Sequence, residues 1–201
     1  MTMKTINVGI YIYEQAEVLD FSGPFEVFST ASRLYQRPGL FNVFLVAETA
    51  APVKARAGYT VLPAYGFEKH PGIDVLVVAG GVHQGEMKKT EVMQWLKHQA
   101  QETGLIASVC TGVFLLAQAG IVTRQQVTTH HQDISELKSL FPALEVVENV
   151  RWTQSGNILT SAGIAAGIDM SLHLVSELAG SGLAEKTADQ MEFFWRKQNN
   201  E

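Results

Sequence analysis

The chain holds one cysteine, Cys110, placed where its chemistry is usable: in "LIASVCTGVFLLAQAG" an apolar strand pattern runs straight into it, and Thr111 and Gly112 lead at once into a helical pattern. So abrupt a strand-to-helix turn is the layout of a nucleophile elbow, in which small neighbours keep the backbone close and the side chain stands above the sheet. The helix start adds unsatisfied N–H groups and a partial positive charge, which predicts a thiol of lowered pKa and nucleophilic character. A lone cysteine in an apolar run also matches a small buried hydrophobe. The strand, Cys, Thr-Gly, helix context favours the nucleophile.

A carboxyl group is within reach of that thiol if the sheet is open and parallel, because loops at the carboxyl ends of its strands converge on one crevice. Asp20, in "LDFSGPFEV" at residues 19–27, lies just past the first strand pattern and is the candidate to pass a proton between substrate and water. Its other reading is a helix N-cap, for which Ser22 is better placed ahead of a helix starting near Pro24. In "VVAGGVHQG", Gly80 and Gly81 let the backbone come close to a bound group, and the N–H of Gly81 with that of Thr111 is a candidate donor pair for developing negative charge. No G-x-G-x-x-G follows any strand pattern, so this is not a dinucleotide fingerprint. His130 and His131 in "TTHHQD" are adjacent at a helix start, are expected to point different ways, and lack the second ligand cluster zinc needs. They read as structural, as do Met170, His173 and Glu177 on one helical face. No metal or cofactor is expected.

These side chains need a scaffold, and the apolar runs supply one. Strand patterns at Ile6–Tyr13, Phe41–Ala47, Asp74–Ala79 and Leu105–Val109 alternate with helical patterns, which predicts a mainly parallel α/β sheet. The intervening helices fall near Pro24–Leu34, with Phe25, Val27, Phe28 and Leu34 inward, at Thr90–Thr103, closed by Gly104, and at Val113–Ala119. Val53–Lys54 and Tyr59–Leu62 form a short excursion broken by Gly58. Val146–Arg151 and Asn157–Ser161 flank the turn residues "TQSGN" as a hairpin, and helices at Ala165–Ala179 and Ala184–Trp195 follow. Without repeats or linkers, residues 1–201 read as one domain.

The chain's 201 residues carry 20 acidic against 15 basic side chains, a formal charge of −5, which disfavours nucleic acid as a partner. Charged residues make up 17% against about 25% in an average domain, so much of the chain is expected to be buried. One cysteine excludes an intrachain disulfide, and Met1–Tyr13 shows no signal-peptide pattern, so a reducing cytoplasmic setting is expected. Leu105–Val122 runs without a charge, but its polar and glycine residues make it a buried strand and helix rather than a membrane span.

Taken together, "LDFSGPFEV", "VVAGG", "SVCTG", "TTHH" and "GNILTSAGIAAGID", five segments in order along nearly the whole chain, resemble the ThiJ/PfpI superfamily, and within it the isonitrile hydratase branch. That resemblance implies a flavodoxin-like, glutamine-amidotransferase-like sandwich. It implies Cys110 as nucleophile, Asp20 as the proton-transfer carboxyl, Gly80, Gly81 and Thr111 around the charge-binding position, and Gly163 with Ile164 on a turn against the elbow near a homodimer contact. Thr111 stands where PfpI-like proteases place a histidine, and Asp20 where the deglycase-like branch places a glutamate. Both features point to water addition to an isonitrile, a small electrophile, giving an N-substituted formamide through a thioimidate. A dicarbonyl-consuming enzyme and a non-enzymatic ligand or redox sensor are the competing expectations. The AraC-type branch carries a DNA-binding module that this sequence is not expected to contain. Phe193, Phe194 and Trp195 are candidates for an apolar contact between copies or for the core.

Overall fold

A computed structural model describes residues 4–36 and 39–197. Residues 1–3 of the amino-terminal run and the chain end at Glu201 lie outside the described residues. In chain order the elements are β1 (Ile6–Tyr11), α1 (Val18–Leu34), β2 (Phe41–Val46), β3 (Val53–Lys54), β4 (Thr60–Val61), β5 (Val75–Val78), α2 (His83–Glu86) and α3 (Thr90–Glu102). There follow β6 (Leu105–Val109), α4 (Gly112–Gln118), β7 (Gln126–Val127), α5 (Ile134–Leu140), β8 (Glu145–Val146), β9 (Trp152–Ser155), β10 (Ile158–Ser161), α6 (Ala166–Ala179) and α7 (Ser181–Gln190).

Six strands form the central sheet in the order β2-β1-β5-β6-β10-β9, parallel throughout except for the β9–β10 hairpin. The continuous apolar run of β5 is buried at every position, as a strand covered on both faces requires. The right-handed sense of parallel crossovers puts α1, which leaves β1 for β2, on one face and α3 and α4, which run the other way along the sheet, on the opposite face. α6 and α7 pack against α1 and complete the first layer. Successive connections diverge between β1 and β5, and such a switch point opens a crevice at the carboxyl ends of the strands. The loops after β1, β5 and β6 meet there.

α1 begins earlier than its proline suggests. Helical geometry starts at Val18, so Asp20 stands in the first turn rather than in a loop, Pro24 is internal, and Ser22 caps nothing: its Oγ donates to the carbonyl of Val18 at 2.8 Å. Pro24 has no N–H to offer the carbonyl of Asp20 one turn back, a loss the buried stripe Phe21, Pro24, Val27, Phe28 and Ala31 offsets by packing on the sheet. Leu34, expected inward, is 36% exposed.

Three further boundaries differ from the sequence reading. The hairpin's first strand is β9, starting at Trp152, while Val146 pairs with Val127 in a separate two-stranded sheet. The last helix runs from Ser181 to Gln190, not to Trp195; beyond it Phe193 and Trp195 pack on the core and Phe194 is 84% exposed. α3 ends in an extended residue, Thr103, without a left-handed glycine cap. Leu105–Val122 divides into β6 and α4, and no helix among the described residues is long and apolar enough to cross a membrane.

Candidate active site

Cys110 is the residue between β6 and α4, and its backbone is forced into the left-handed region at φ 55°. An L-residue there costs about 1–3 kcal/mol and persists only where its surroundings over-determine it. They do so here. The Cys110 N–H donates to the carbonyls of Ser161 and Ala162 at the end of β10, 3.2 and 3.3 Å away, and its own carbonyl accepts from Thr129 Oγ1 at 2.9 Å. The side chain is 7% exposed.

Gly80, at the end of the β5 run, is the point where the other parts meet. A methyl group on it would fall 2.6 Å from Asp20 Oδ2, 2.6 Å from the Thr111 nitrogen and 2.8 Å from Cys110 Cβ, so only a residue without a side chain lets the three close around it. Its N–H donates to Asp20 Oδ2 at 3.1 Å. Asp20 is fully buried, with Oδ1 free of any hydrogen bond among the described residues. Gly81 is committed differently from the sequence reading. Its N–H donates to Thr111 Oγ1 at 2.9 Å, and that hydroxyl donates back to the Gly81 carbonyl at 3.0 Å. The Gly81 amide is therefore spent on holding Thr111. The backbone N–H groups that lie against the sulfur are those of Thr111 and Ile164.

Burial pushes the Asp20 carboxyl up to about 7, with the negative charge of Glu17 adding to the rise; the Gly80 N–H and the Cys110 thiol pull the other way. Burial likewise pushes the Cys110 thiol up to about 12, reinforced by the charge of Asp20 and only partly opposed by the Thr111 and Ile164 amides. The lowered thiol pKa expected from the helix start is overturned: desolvation and a neighbouring carboxylate outweigh two amide dipoles. The carboxyl ionises first, and the thiol keeps its proton.

Ile164 sits in the tight turn before α6 at φ 50°, a strained conformation for a β-branched residue. His130 packs against the neighbouring Gly163 so closely that a Cβ there would lie 1.9 Å from His130 Cδ2. Its Nδ1 accepts from the Gln132 N–H at 3.3 Å and lies 3.4 Å from Asp133 Oδ2. The rings of His130 and His131 do not diverge as expected; they lie against each other with centroids 4.3 Å apart, and only His130 lines the cleft. His173 is a satisfied histidine, stacked at 4.0 Å on Trp152 and bonded to Gln154 at 3.0 Å, while Met170 is buried.

Above Cys110 the cleft has a volume of about 350 Å³. Several of its residues escaped the sequence reading. Arg56, paired with Glu17 at 3.5 Å, arrives from the β3–β4 excursion, Gln84 from α2, and Gln132 from the single 3-10 turn just before α5. His83 is 2% exposed, lies 4.2 Å from the ring of Phe114, and is held below the usual imidazole range by burial. Behind the cleft rather than on its lining, Tyr13 is buried just past β1 with a hydroxyl that has no hydrogen-bond partner among the described residues, and burial with the nearby Asp20 charge keeps its phenol protonated. None of these carries a local motif. Only the "VHQG" segment, following two glycines, marked a position for His83 and Gln84.

Residues 6–177 match the DJ-1/PfpI family. The chain belongs to the DJ-1/PfpI family. Among similar relatives, the isonitrile hydratase of Pseudomonas putida is 31% identical over 189 residues, covering 94% of this chain and 78% of that protein. The HTH-type transcriptional regulator GbdR of Pseudomonas aeruginosa is 24% identical over 195 residues, covering 97% of this chain; the chain spans about half of that regulator's length, 52%. A crystal structure of a ThiJ/PfpI family protein from Pseudomonas syringae superposes with a TM-score of 0.84 at 25% identity, covering 95% of this chain and 76% of that one. The DJ-1/PfpI family thus includes relatives named as an enzyme and relatives named as regulators.

Proposed function

We propose that the chain is a cysteine-dependent hydratase that converts isonitriles to N-substituted formamides. The observation that carries this reading is the meeting of the Cys110 thiol and the Asp20 carboxyl at Gly80, with the carboxyl itself protonated up to about pH 7. The terminal carbon of an isonitrile takes up a nucleophile and a proton at the same atom, and this pair carries both. The sulfur bonds to the carbon as its own proton leaves to water, Asp20 gives its proton to that carbon, and the product is the thioimidate R–N=CH–S–Cys110 with Asp20 as the carboxylate. The Asp20 carboxylate then takes a proton from water as it adds to the same carbon, which restores the acid for the next turnover. Collapse of the adduct returns the sulfur as a thiol and releases R–NH–CHO, so one water is consumed and no other reactant is needed. The N–H groups of Thr111 and Ile164 stabilise charge on the sulfur as it bonds and leaves. The 31% identity to a protein named isonitrile hydratase supports the same reading.

Two further readings use the same thiol. A dicarbonyl-consuming enzyme would convert methylglyoxal to lactate. A sensor, which the named regulators among the relatives favour, would bind or be modified without turnover. A thiol held protonated reacts slowly with peroxide, which weighs against redox sensing and leaves ligand sensing as the stronger of the two. The small-molecule electrophile, a homodimeric assembly and a reducing cytoplasmic setting belong to the same proposal. The test is formamide production from cyclohexyl isonitrile with the methylglyoxal assay run in parallel. The wild type is expected to make formamide and Cys110→Ala none; equal formamide from both would end the covalent mechanism, and no formamide from the wild type would end the assignment.

A further inference from the structure

The hydratase reading fixes the reacting carbon at Cys110, and the group on the isonitrile nitrogen must then lie along the rest of the cleft. Sites for small organic ligands are lined mostly by apolar and aromatic side chains, with a few polar groups setting orientation. This cleft reverses that balance. Of its twelve lining residues, Val82 and Ile164 alone bring branched hydrocarbon side chains, and Val82 is 41% exposed to solvent. A hydrocarbon substituent would bury little apolar surface against such walls, and burial of that surface is what would hold it.

The polar groups divide into those already committed and those that are not. Arg56 is paired with Glu17, and His130 Nδ1 accepts from the Gln132 N–H. Among the described residues, the side-chain amides of Gln84 and Gln132 make no hydrogen bond, and both residues are exposed at the cleft. Each amide offers two donors and an acceptor. Glu17 and Asp133 against Arg56 leave the lining with an excess of negative charge, which disfavours an anionic guest.

Resting on the hydratase reading, we infer that the cleft takes an isonitrile whose substituent is polar, hydrogen-bonding and not anionic, with Gln84 and Gln132 as its specificity-determining contacts.

A series of rings of one shape tests this: cyclohexyl, oxan-4-yl, piperidin-4-yl, which is cationic at neutral pH, and 4-carboxycyclohexyl isonitriles. The oxane and piperidinium rings are expected to exceed cyclohexyl in kcat/KM by about tenfold, the worth of one net hydrogen bond, and the carboxylate to be slowest. Gln132→Leu, at an exposed position, should shrink the oxane-to-cyclohexyl ratio to about threefold or less. A cyclohexyl ring that equals or exceeds the oxane, or a ratio that Gln132→Leu leaves unchanged, overturns the inference. The same four rings carried on iodoacetamides ask the question without turnover: the sulfur displaces iodide, hydrogen iodide leaves, and the mass gained by the only cysteine reports Cys110 alone. If no isonitrile is hydrated, the hydratase reading fails, while the ranking of alkylation rates still upholds the ring preference or overturns it.

Discussion

Cys110 and Asp20 are best understood as one proton-holding unit. A thiolate poised by a helix start would be the obvious design for a cysteine nucleophile, yet burial and the adjacent carboxyl hold the sulfur protonated, at about 12, while the carboxyl titrates at about 7. For a substrate that needs a proton on the very carbon attacked, a stored proton serves the first step better than a bare thiolate. A pH dependence follows. Asp20 is protonated below about 7, so kcat/KM for isonitrile consumption should fall as the pH rises through that value. Asp20→Asn should remove the inflection and lower the rate by about 100- to 10,000-fold, the usual worth of a positioned proton donor. A pH–rate profile of both proteins checks this, and an inflection that persists in Asp20→Asn would assign it to another group.

The elbow works because two segments far apart in sequence, that of Asp20 and that of Cys110–Thr111, close around a residue with no side chain. Gly80→Ala would press a methyl against the Thr111 backbone nitrogen and the Asp20 carboxylate at 2.6 Å, which overpacking costs put at about 1–3 kcal/mol. Thermal melting should show that loss together with collapse of formamide production, whereas Gly182→Ala on α7, where nothing lies within 4 Å, should leave both unimpaired. Much of this was legible in the sequence. β5 and β6 announce themselves as uninterrupted apolar runs, and Cys110 is conspicuous because its strand stops without a loop. The start of α1 differs from the sequence expectation because proline favours a first turn, whereas the packing of Phe21, Val27 and Phe28 on the sheet carries Pro24 in mid-helix. The free or spent state of an amide was also hidden: Gly81 looked like a donor until the Thr111 hydroxyl, a long-range partner, claimed it. Arg56 and Gln132 stayed invisible because side chains that reach a cleft from excursions have no periodicity to betray them.

Over the whole molecule, the buried Asp20 carboxyl ties folding to pH. Its folded value, about 7, lies above its ordinary 3.8, so the folded chain binds this proton more tightly than the unfolded one. The resulting stability is fully present below about pH 4 and is lost as the pH rises through 7, amounting to about 4 kcal/mol across that window. Denaturant melts of the wild type and Asp20→Asn at pH 4 and 8 should therefore diverge by a few kcal/mol, with the wild type the one that weakens on the alkaline side. Parallel curves would mean that the folded chain binds this proton no more tightly than the unfolded one. The helix that carries Asp20 also rests on the carboxyl-terminal half: Gly23 of α1 packs on Ile168 of α6, where an added Cβ would meet Ile168 Cγ1 at 3.1 Å, and α7 leans on both helices. Drift in those two rear helices can therefore shift the proton-holding carboxyl without altering one residue of the cleft. That gives a lineage a way to exchange turnover for mere recognition while the nucleophile's own neighbourhood stays letter for letter the same.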